Sequence, residues 1–175
     1  LRRQRQMCIR DRTWESIASI DDPDPIADLR DPKLSIMPDG RLMLLVGGTK
    51  YMNGVLFERR DRVAFTTDPE AGFSPLVEVN IDPIIPGPMT WVWRLTWEAG
   101  AGYGILYEPF GSDWDAHLVT TMDGINYAHV TTFNVPGSMS EGTVRFRDDG
   151  TMVAGVGRAR RPPGGSKKNP APPQT

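Results

Sequence analysis

The stretch LSIMPDGRLMLLVGG at positions 34–48 returns as VRFRDDGTMVAGVGR at 144–158. Leu34, Ile36, Leu42 and Val46 fall on Val144, Phe146, Met152 and Val156, and Asp39-Gly40 falls on Asp149-Gly150. Each copy is a short apolar run, an Asp-Gly turn and a second apolar run, the pattern of a β-hairpin. A middle copy runs from Arg94 to Tyr107, with Gly100 near the midpoint between Gly40 and Gly150. The unit is therefore about 55 residues long, in the range of repeat architectures.

A second hairpin has the same period. VAFTTDPEAGFSPLVEV at 63–79 and HLVTTMDGINYAHV at 117–130 each place two strand-like runs around a turn, with Asp68 and Asp123 one period apart. Thr67, Asp68, Thr121 and Asp123 offer oxygens that cap backbone N–H groups in such turns. Phe73 and Tyr127 follow the turns and are placed to pack between units. Two hairpins make four short strands, and one such sheet leaves apolar faces that only neighbouring units can cover. Four-stranded units at periods of about 40–50 residues are propeller blades. The expected fold class is all-β, a β-propeller fragment of about two and a half blades between Asp28 and Arg158, since a closed ring takes typically four to eight. A β-sandwich with coincidentally similar hairpins is the alternative.

Composition agrees. Glycine (18) and proline (16) make up 34 of 175 residues, above the usual ~12%, which favours turns over long helices. No apolar run approaches the roughly 20 residues of a membrane-spanning helix, so no membrane span is expected. The single cysteine, Cys8, excludes an internal disulfide and a cysteine-built zinc site. The net charge of −2 conceals a division: positions 13–158 hold about twice as many acidic as basic side chains, while both ends are basic. An acidic domain repels phosphate backbones, so nucleic acid is not an expected partner.

Three segments follow. LRRQRQMCIRDR (1–12) lacks apolar periodicity, resembles the translated library-adapter sequence found at the edges of metagenomic gene models, and is expected to be a disordered artefact. Residues 13–158 form the domain. The Pro/Gly/Lys-rich stretch 159–175, with Arg160, Arg161, Lys167 and Lys168, is expected to be a disordered tail.

The innermost strand of a blade lines the central channel, and the repeat register marks equal depths along it. Arg30/Asp31, Thr90/Trp91 and Ser140/Glu141 are the expected equivalent positions of three consecutive blades, which gathers an arginine, two carboxylates and a tryptophan at one opening. Arg30 can clasp a carboxylate with its two-pronged guanidinium, or pair locally with Asp28 or Asp31. Asp31 and Glu141 can act as an acid/base pair, or balance Arg30 and Arg94. Trp91, Trp93, Leu95 and Trp97 alternate with Val92, Arg94 and Thr96, so the indoles should share one face, as inter-blade core or as a sugar platform. Arg94, on the other face, is a candidate channel residue. His117 and His129 have no third ligand at metal spacing, so no metal is expected. No phosphate-loop spacing and no Gly-x-Ser-x-Gly elbow occurs, and no cofactor is expected.

The segment DLRDPKLSIMPDGRLMLLVGG resembles the opening blade of sialidase-like propellers, in which Arg-x-Pro precedes a strand. The turns at Asp68 and at Thr120–Tyr127 resemble degenerate Asp-boxes, and SEGTVRFRDDGTMVAGVGR resembles a later blade that opens on a glutamate. Trp91-Val-Trp93-Arg94 and Glu141-Gly-Thr-Val-Arg145-Phe146 are similar to strands of bacterial sialidase-like proteins. The resemblance implies a six-bladed parent, an exo-α-sialidase-like glycoside hydrolase that is secreted or periplasmic. It further implies a substrate-carboxylate arginine at Arg30, a glutamate at 141 that polarises a tyrosine nucleophile, and a second arginine near 157, where Gly157 stands beside Arg158. An acid/base aspartate is implied in the loop 49–62, which offers Glu58 and Asp61 without a clear match. The tyrosine and third arginine belong to later blades, so the chain alone is expected to be inactive and poorly stable, with an open edge strand. The expected site is Glu141 and Asp31 as catalytic residues, with Arg30, Trp91, Trp93, Arg94 and Arg158 binding a carbohydrate ligand. A non-catalytic sugar-binding propeller and a protein-interaction propeller are the rival readings.

Overall fold

In the computed structural model of the chain, residues 4–10, 13–24, 27–85, 87, 89–108 and 115–158 are described. The expected tail at 159–175 lies outside them. Every regular element among the described residues is a β-strand: β1 (Gln4–Arg10), β2 (Thr13–Ile20), β3 (Ala27–Ile36), β4 (Leu42–Met52), β5 (Val55–Thr66), β6 (Val77–Glu78), β7 (Asn80–Ile81), β8 (Trp91–Glu98), β9 (Ala101–Tyr107), β10 (Ala116–Thr121), β11 (Asn126–Thr132), β12 (Met139–Phe146) and β13 (Met152–Arg158). β1 and β2 form a hairpin of their own. The remaining strands form three successive sheets: β3-β4-β5-β6, then β8-β9-β10-β11 with β7 added at its outer edge, then β12-β13. Pairing is antiparallel throughout except between β7 and β11. These are two blades and the opening hairpin of a third, as the sequence repeat requires.

The repeat is physical, down to single hydrogen bonds. In the first hairpin Met37 N–H donates to Arg41 O (2.8 Å), Gly40 N–H to Met37 O (2.9 Å), and Arg41 N–H to Asp39 Oδ1 (3.0 Å). In the third, Arg147 N–H donates to Thr151 O (3.0 Å), Gly150 N–H to Arg147 O (2.9 Å), and Thr151 N–H to Asp149 Oδ1 (2.9 Å). Gly40 and Gly150 both adopt positive φ, 85° and 81°, which a glycine tolerates without strain. The second pair of turns also match: Thr121 Oγ1 accepts Gly124 N–H and Asp123 Oδ1 accepts Ile125 and Asn126 N–H. In the earlier blade Thr66 Oγ1 accepts Asp68 N–H, so Thr66 rather than Thr67 is the partner of Thr121.

Both faces of the middle sheet are buried, and successive residues of its strands go to different neighbours. Leu106 packs with Val92, Leu95 and Val119 against Met43, Leu45 and Val63 of the first sheet. Its neighbours Ile105 and Tyr107 pack with Leu118 against Met139 and Val144 of the third. Tyr127 is buried between the first and second sheets. Phe73 packs instead on the outer cluster of Leu29, Val46, Ala64 and Leu76.

Three expectations need correction. The segment 49–62 is no loop: β4 and β5 run through it to a tight turn at Asn53-Gly54, both at positive φ (51° and 77°). Asn-Gly between strands is a strong hairpin signal, hidden here by the charge run Glu58–Arg62. Second, the middle hairpin closes on the tight turn Ala99-Gly100, whereas the outer hairpins close on the longer turns 37–41 and 147–151. Aligning the glycines therefore displaced the middle register. Third, the three indoles do not share a face. A β-bulge between Val92 and Leu95 inverts the alternation. Trp91 and Trp93 belong to the cluster shared with the third sheet. Leu95 and Trp97 join Val92 in the cluster shared with the first, and Trp97 Nε1–H donates to Ser35 Oγ (3.1 Å).

Sheets reach this close only where a glycine leaves room. A Cβ on Gly47 would lie 2.7 Å from Cζ2 of Trp91, and the other face of Gly48 is filled by the Arg62 guanidinium. Gly47→Ala should therefore displace a rigid indole and cost about 1–3 kcal/mol, read as a lower chemical-denaturation midpoint. An unchanged midpoint would contradict this packing.

Candidate functional site

Each first strand carries a β-bulge at the same end. The ladder slips between Arg30 and Lys33 in β3, between Val92 and Leu95 in β8, and between Met139 and Gly142 in β12. The unpaired residues are Asp31-Pro32, Trp93-Arg94 and Ser140-Glu141. A bulge frees residues from the ladder and turns their side chains away from the regular alternation. Asp31 takes φ 51°, a left-handed conformation that aspartate adopts more readily than most residues. Asp31, Arg94 and Glu141 are all exposed, and β8 packs against both β3 and β12. Of the expected middle-blade pair, Thr90 is buried beside the mouth, and Trp93-Arg94 take the equivalent place.

Between these bulges lies Lys33. Its Nζ is 4.6 Å from the centre of the Trp93 ring and 5.4 Å from that of Trp91, within cation–π range. Burial pushes its ammonium down to about 8, opposed by the negative charges of Asp61, Asp31 and Glu141 and reinforced by Arg94. Charges from all three sheets thus act on one ammonium. The Arg59 guanidinium lies 3.9 Å from the Trp91 ring centre, brought there by a backbone bridge between Arg59 and Met89. Burial lowers its proton affinity, partly offset by Tyr107 and Tyr51.

Beneath the mouth is Asp61. Its Oδ2 accepts the N–H of Val92 (2.7 Å), the residue before the β8 bulge, so a buried carboxyl of the first sheet fixes the backbone of the second. Burial raises this carboxyl to about 7, against the opposing pull of Lys33, the Val92 N–H, Arg59 and Arg62. The Tyr107 phenol, paired across the ladder from Trp91, is pushed up to about 12, chiefly by burial; Arg59 opposes, while Glu141, Asp31 and Asp61 add.

Arg30 points to a local partner. Its Nη2 lies 2.6 Å and its Nε 2.8 Å from Asp28 Oδ2, and its guanidinium caps the Tyr51 ring at 5.5 Å. Arg158 ends β13 opposite Met139, with its side chain against Gly137. A Cβ at Gly157 would sit 2.9 Å from Ser140 Oγ and 3.0 Å from Glu141 O, so the arginine implied there would collide with the bulge. His117 and His129 stack edge to face at 5.5 Å and share Thr132 Oγ1, and among the described residues no group of three His, Cys, Asp or Glu could hold a metal.

No protein-family model and no curated protein matches the chain. Solved structures do. A protein of unknown function from Dyadobacter fermentans DSM 18053 matches with a TM-score of 0.64 and 16% identity, covering 82% of this chain and 46% of that one. An endo-1,4-beta-xylanase from Bacteroides thetaiotaomicron VPI-5482 matches with a TM-score of 0.50 and 15% identity, covering 82% of this chain and 50% of the other. The GH43 BlXynB protein from Bacillus licheniformis, at a TM-score of 0.33, is too distant to argue from. The chain spans about half the length of the first two, and at such identities the likeness is one of fold: an all-β architecture that a glycoside hydrolase also has.

Sequence reasoning missed Lys33, Arg59 and Tyr107 as members of the cluster, and offered Asp61 only as an acid/base candidate without a clear match. Lys33 reads as a strand residue two places past Asp31, and only the bulge turns it inward. Arg59 was hidden, and the buried position of Asp61 with it, by reading their strand as a loop.

Asp61 gives the cluster a pH signature. Its carboxyl holds a proton more tightly folded than unfolded, so its contribution to stability is present in acid and is lost as pH rises from about 4 through 7. Asp61→Asn keeps an acceptor for Val92 N–H and cannot titrate. Thermal midpoints of the variant should lose that decline between pH 4 and 7; the same decline in both proteins would refute the burial of an ionisable Asp61.

Proposed function

We propose that the protein acts on carbohydrate, with Asp31 and Glu141 as the acid/base pair of a glycoside-cleaving site and Trp93, the half-buried indole beside them, as its sugar-facing wall. The supporting observation is the alignment of the three bulges. It sets two exposed carboxylates from non-adjacent sheets around one ammonium and two indoles. A glycosidic bond is broken when one carboxyl protonates the leaving oxygen and another activates water or attacks the anomeric carbon. Both roles need carboxylates that water and substrate can reach, as the exposure of Asp31 and Glu141 allows. The half-buried Trp93 ring beside them suits the apolar side of a sugar ring.

The sialidase-type version of this chemistry would have Glu141 polarise a tyrosine. The tyrosine expected for that role belongs to a later blade; Tyr107, whose phenol feels Glu141, holds its proton more tightly than usual, chiefly through burial. Arg30, which that version would place on the substrate carboxylate, is engaged by Asp28. The two-carboxylate scheme is therefore the better supported.

Tryptophan emission of the chain is titrated with xylo-oligosaccharides and sialyllactose. Turnover is then measured on the protein expressed from its complete reading frame. A sugar should shift the emission. Asp31→Asn and Glu141→Gln should each lower turnover by about 100-fold or more with little change in binding. Wild-type turnover in both variants would remove their roles, and emission unmoved by every sugar would remove the carbohydrate reading.

A further inference from the structure

We infer that the exposed tip of the β4–β5 hairpin is a second sugar-binding surface, with Tyr51 as its stacking ring, and that the substrate is a chain of several sugar units running from Asp31 to that tip. The inference rests on the carbohydrate reading above and names the kind of substrate, a polysaccharide rather than a single terminal sugar.

The argument starts from what the hairpin exposes. β3 accompanies β4 only as far as Ala27 opposite Lys50, and β6 pairs with β5 only at Arg62 and Val63. The tip 51–57 therefore projects past both neighbours, and its ladder pairs are internal, Tyr51 with Leu56 and Met52 with Val55. Its sequence, YMNGVLF, holds no charged residue. Met52 and Val55 are more than half exposed (61% and 52%), and Tyr51 (39%) and Phe57 (36%) more than a third. A ladder slip between Lys50 and Tyr51 leaves Phe57 as the extra residue of β5. Apolar side chains gathered on one exposed hairpin mark a binding surface, where single ones would mean nothing.

The position of Tyr51 ties this surface to the candidate site. Its ring is capped by the Arg30 guanidinium at 5.5 Å, and Arg30 directly precedes Asp31 in the β3 bulge. Asp28 holds the same guanidinium at 2.6 Å, so Asp28, Arg30 and Tyr51 form a braced series. A ring held in place loses little freedom when a ligand stacks on it. Three occupants could cover such a tip. A lipid surface is drawn by basic residues around the apolar ones, but 51–57 has none and Lys50 is already paired with Asp24 (2.8 Å) and Glu58 (2.7 Å). A second copy of the chain needs roughly 1,000 Å² of interface, and a few side chains at one tip offer on the order of a few hundred. A sugar ring needs no more than one aromatic face, and this one stands beside the residue before Asp31. The observations therefore favour the sugar chain.

The test titrates the chain by calorimetry with the two-unit and six-unit members of the xylo- and cello-oligosaccharide series, and with sialyllactose. At least one six-unit sugar should bind. Tyr51→Ala should weaken that six-unit sugar about tenfold, the weight of one aromatic contact, and leave its two-unit member within about twofold. Tyr51→Phe keeps the ring and should restore six-unit binding. Tyr51→Ala that binds both lengths as the unaltered chain does would overturn the second surface and leave the carbohydrate reading standing. Loss of two-unit binding as well would make Tyr51 part of the first site and overturn a separate surface. Binding of sialyllactose alone would overturn the polysaccharide and keep the carbohydrate reading; binding of no sugar would remove both. Light scattering and pelleting with phosphatidylcholine vesicles test the other occupants. A doubled mass, or pelleting, that is lost in Met52→Ser with Val55→Thr would give the tip to a second copy or to lipid and overturn the inference.

Discussion

The hydrogen bond from Val92 N–H to the buried Oδ2 of Asp61 joins the first two sheets at the point where the candidate site begins. It spans 31 residues of sequence and places a carboxyl where nothing but protein surrounds it. Next to it the Trp91 indole rests on Gly47, a position with no side chain to keep it away. The hydrogen bond fixes the height of β8 against the first sheet, and the indole fixes its separation. From these two contacts follow the position of the β8 bulge and the direction of Trp93 and Arg94. The mouth is therefore a consequence of how the sheets are held together and not of a flexible loop.

The bulges decide which side chains the first strands of the three sheets bring together. An uninterrupted strand would send Asp31, Lys33 and Ser35 to one face. The slip in β3 instead leaves Asp31 at the exposed mouth, while Lys33 is turned among the indoles and Ser35 meets Trp97. The same slip in β8 splits its apolar residues between two cores and leaves Arg94 exposed.

The architecture was legible in the sequence because the repeat is carried by turn chemistry. Asp39-Gly40 and Asp149-Gly150 make the same hydrogen bonds, and so do the Thr-Asp turns at 66–68 and 121–123. The positions of Asp31 and Glu141 near the ladder slips were legible for the same reason, since both sit at fixed distances from those turns, and both are exposed. Bulges leave no such mark. A ladder slip changes no residue type, so the face of the indoles and the middle register were misread. Buried charges were hidden too, because Lys33 and Arg59 look like ordinary surface cations until a neighbouring sheet covers them.

The central claim is that side chains from three sheets converge on Lys33. The direct measurement is the titration of its ammonium, followed by the NMR signal of Nζ in the intact chain and in Asp31→Asn, Glu141→Gln and Arg94→Gln. Lys33 should titrate near 8 in the unaltered protein. Loss of either carboxylate should move it lower and loss of Arg94 should move it higher. A lysine that titrates as it does in water, or one indifferent to all three substitutions, would mean that the sheets do not meet there.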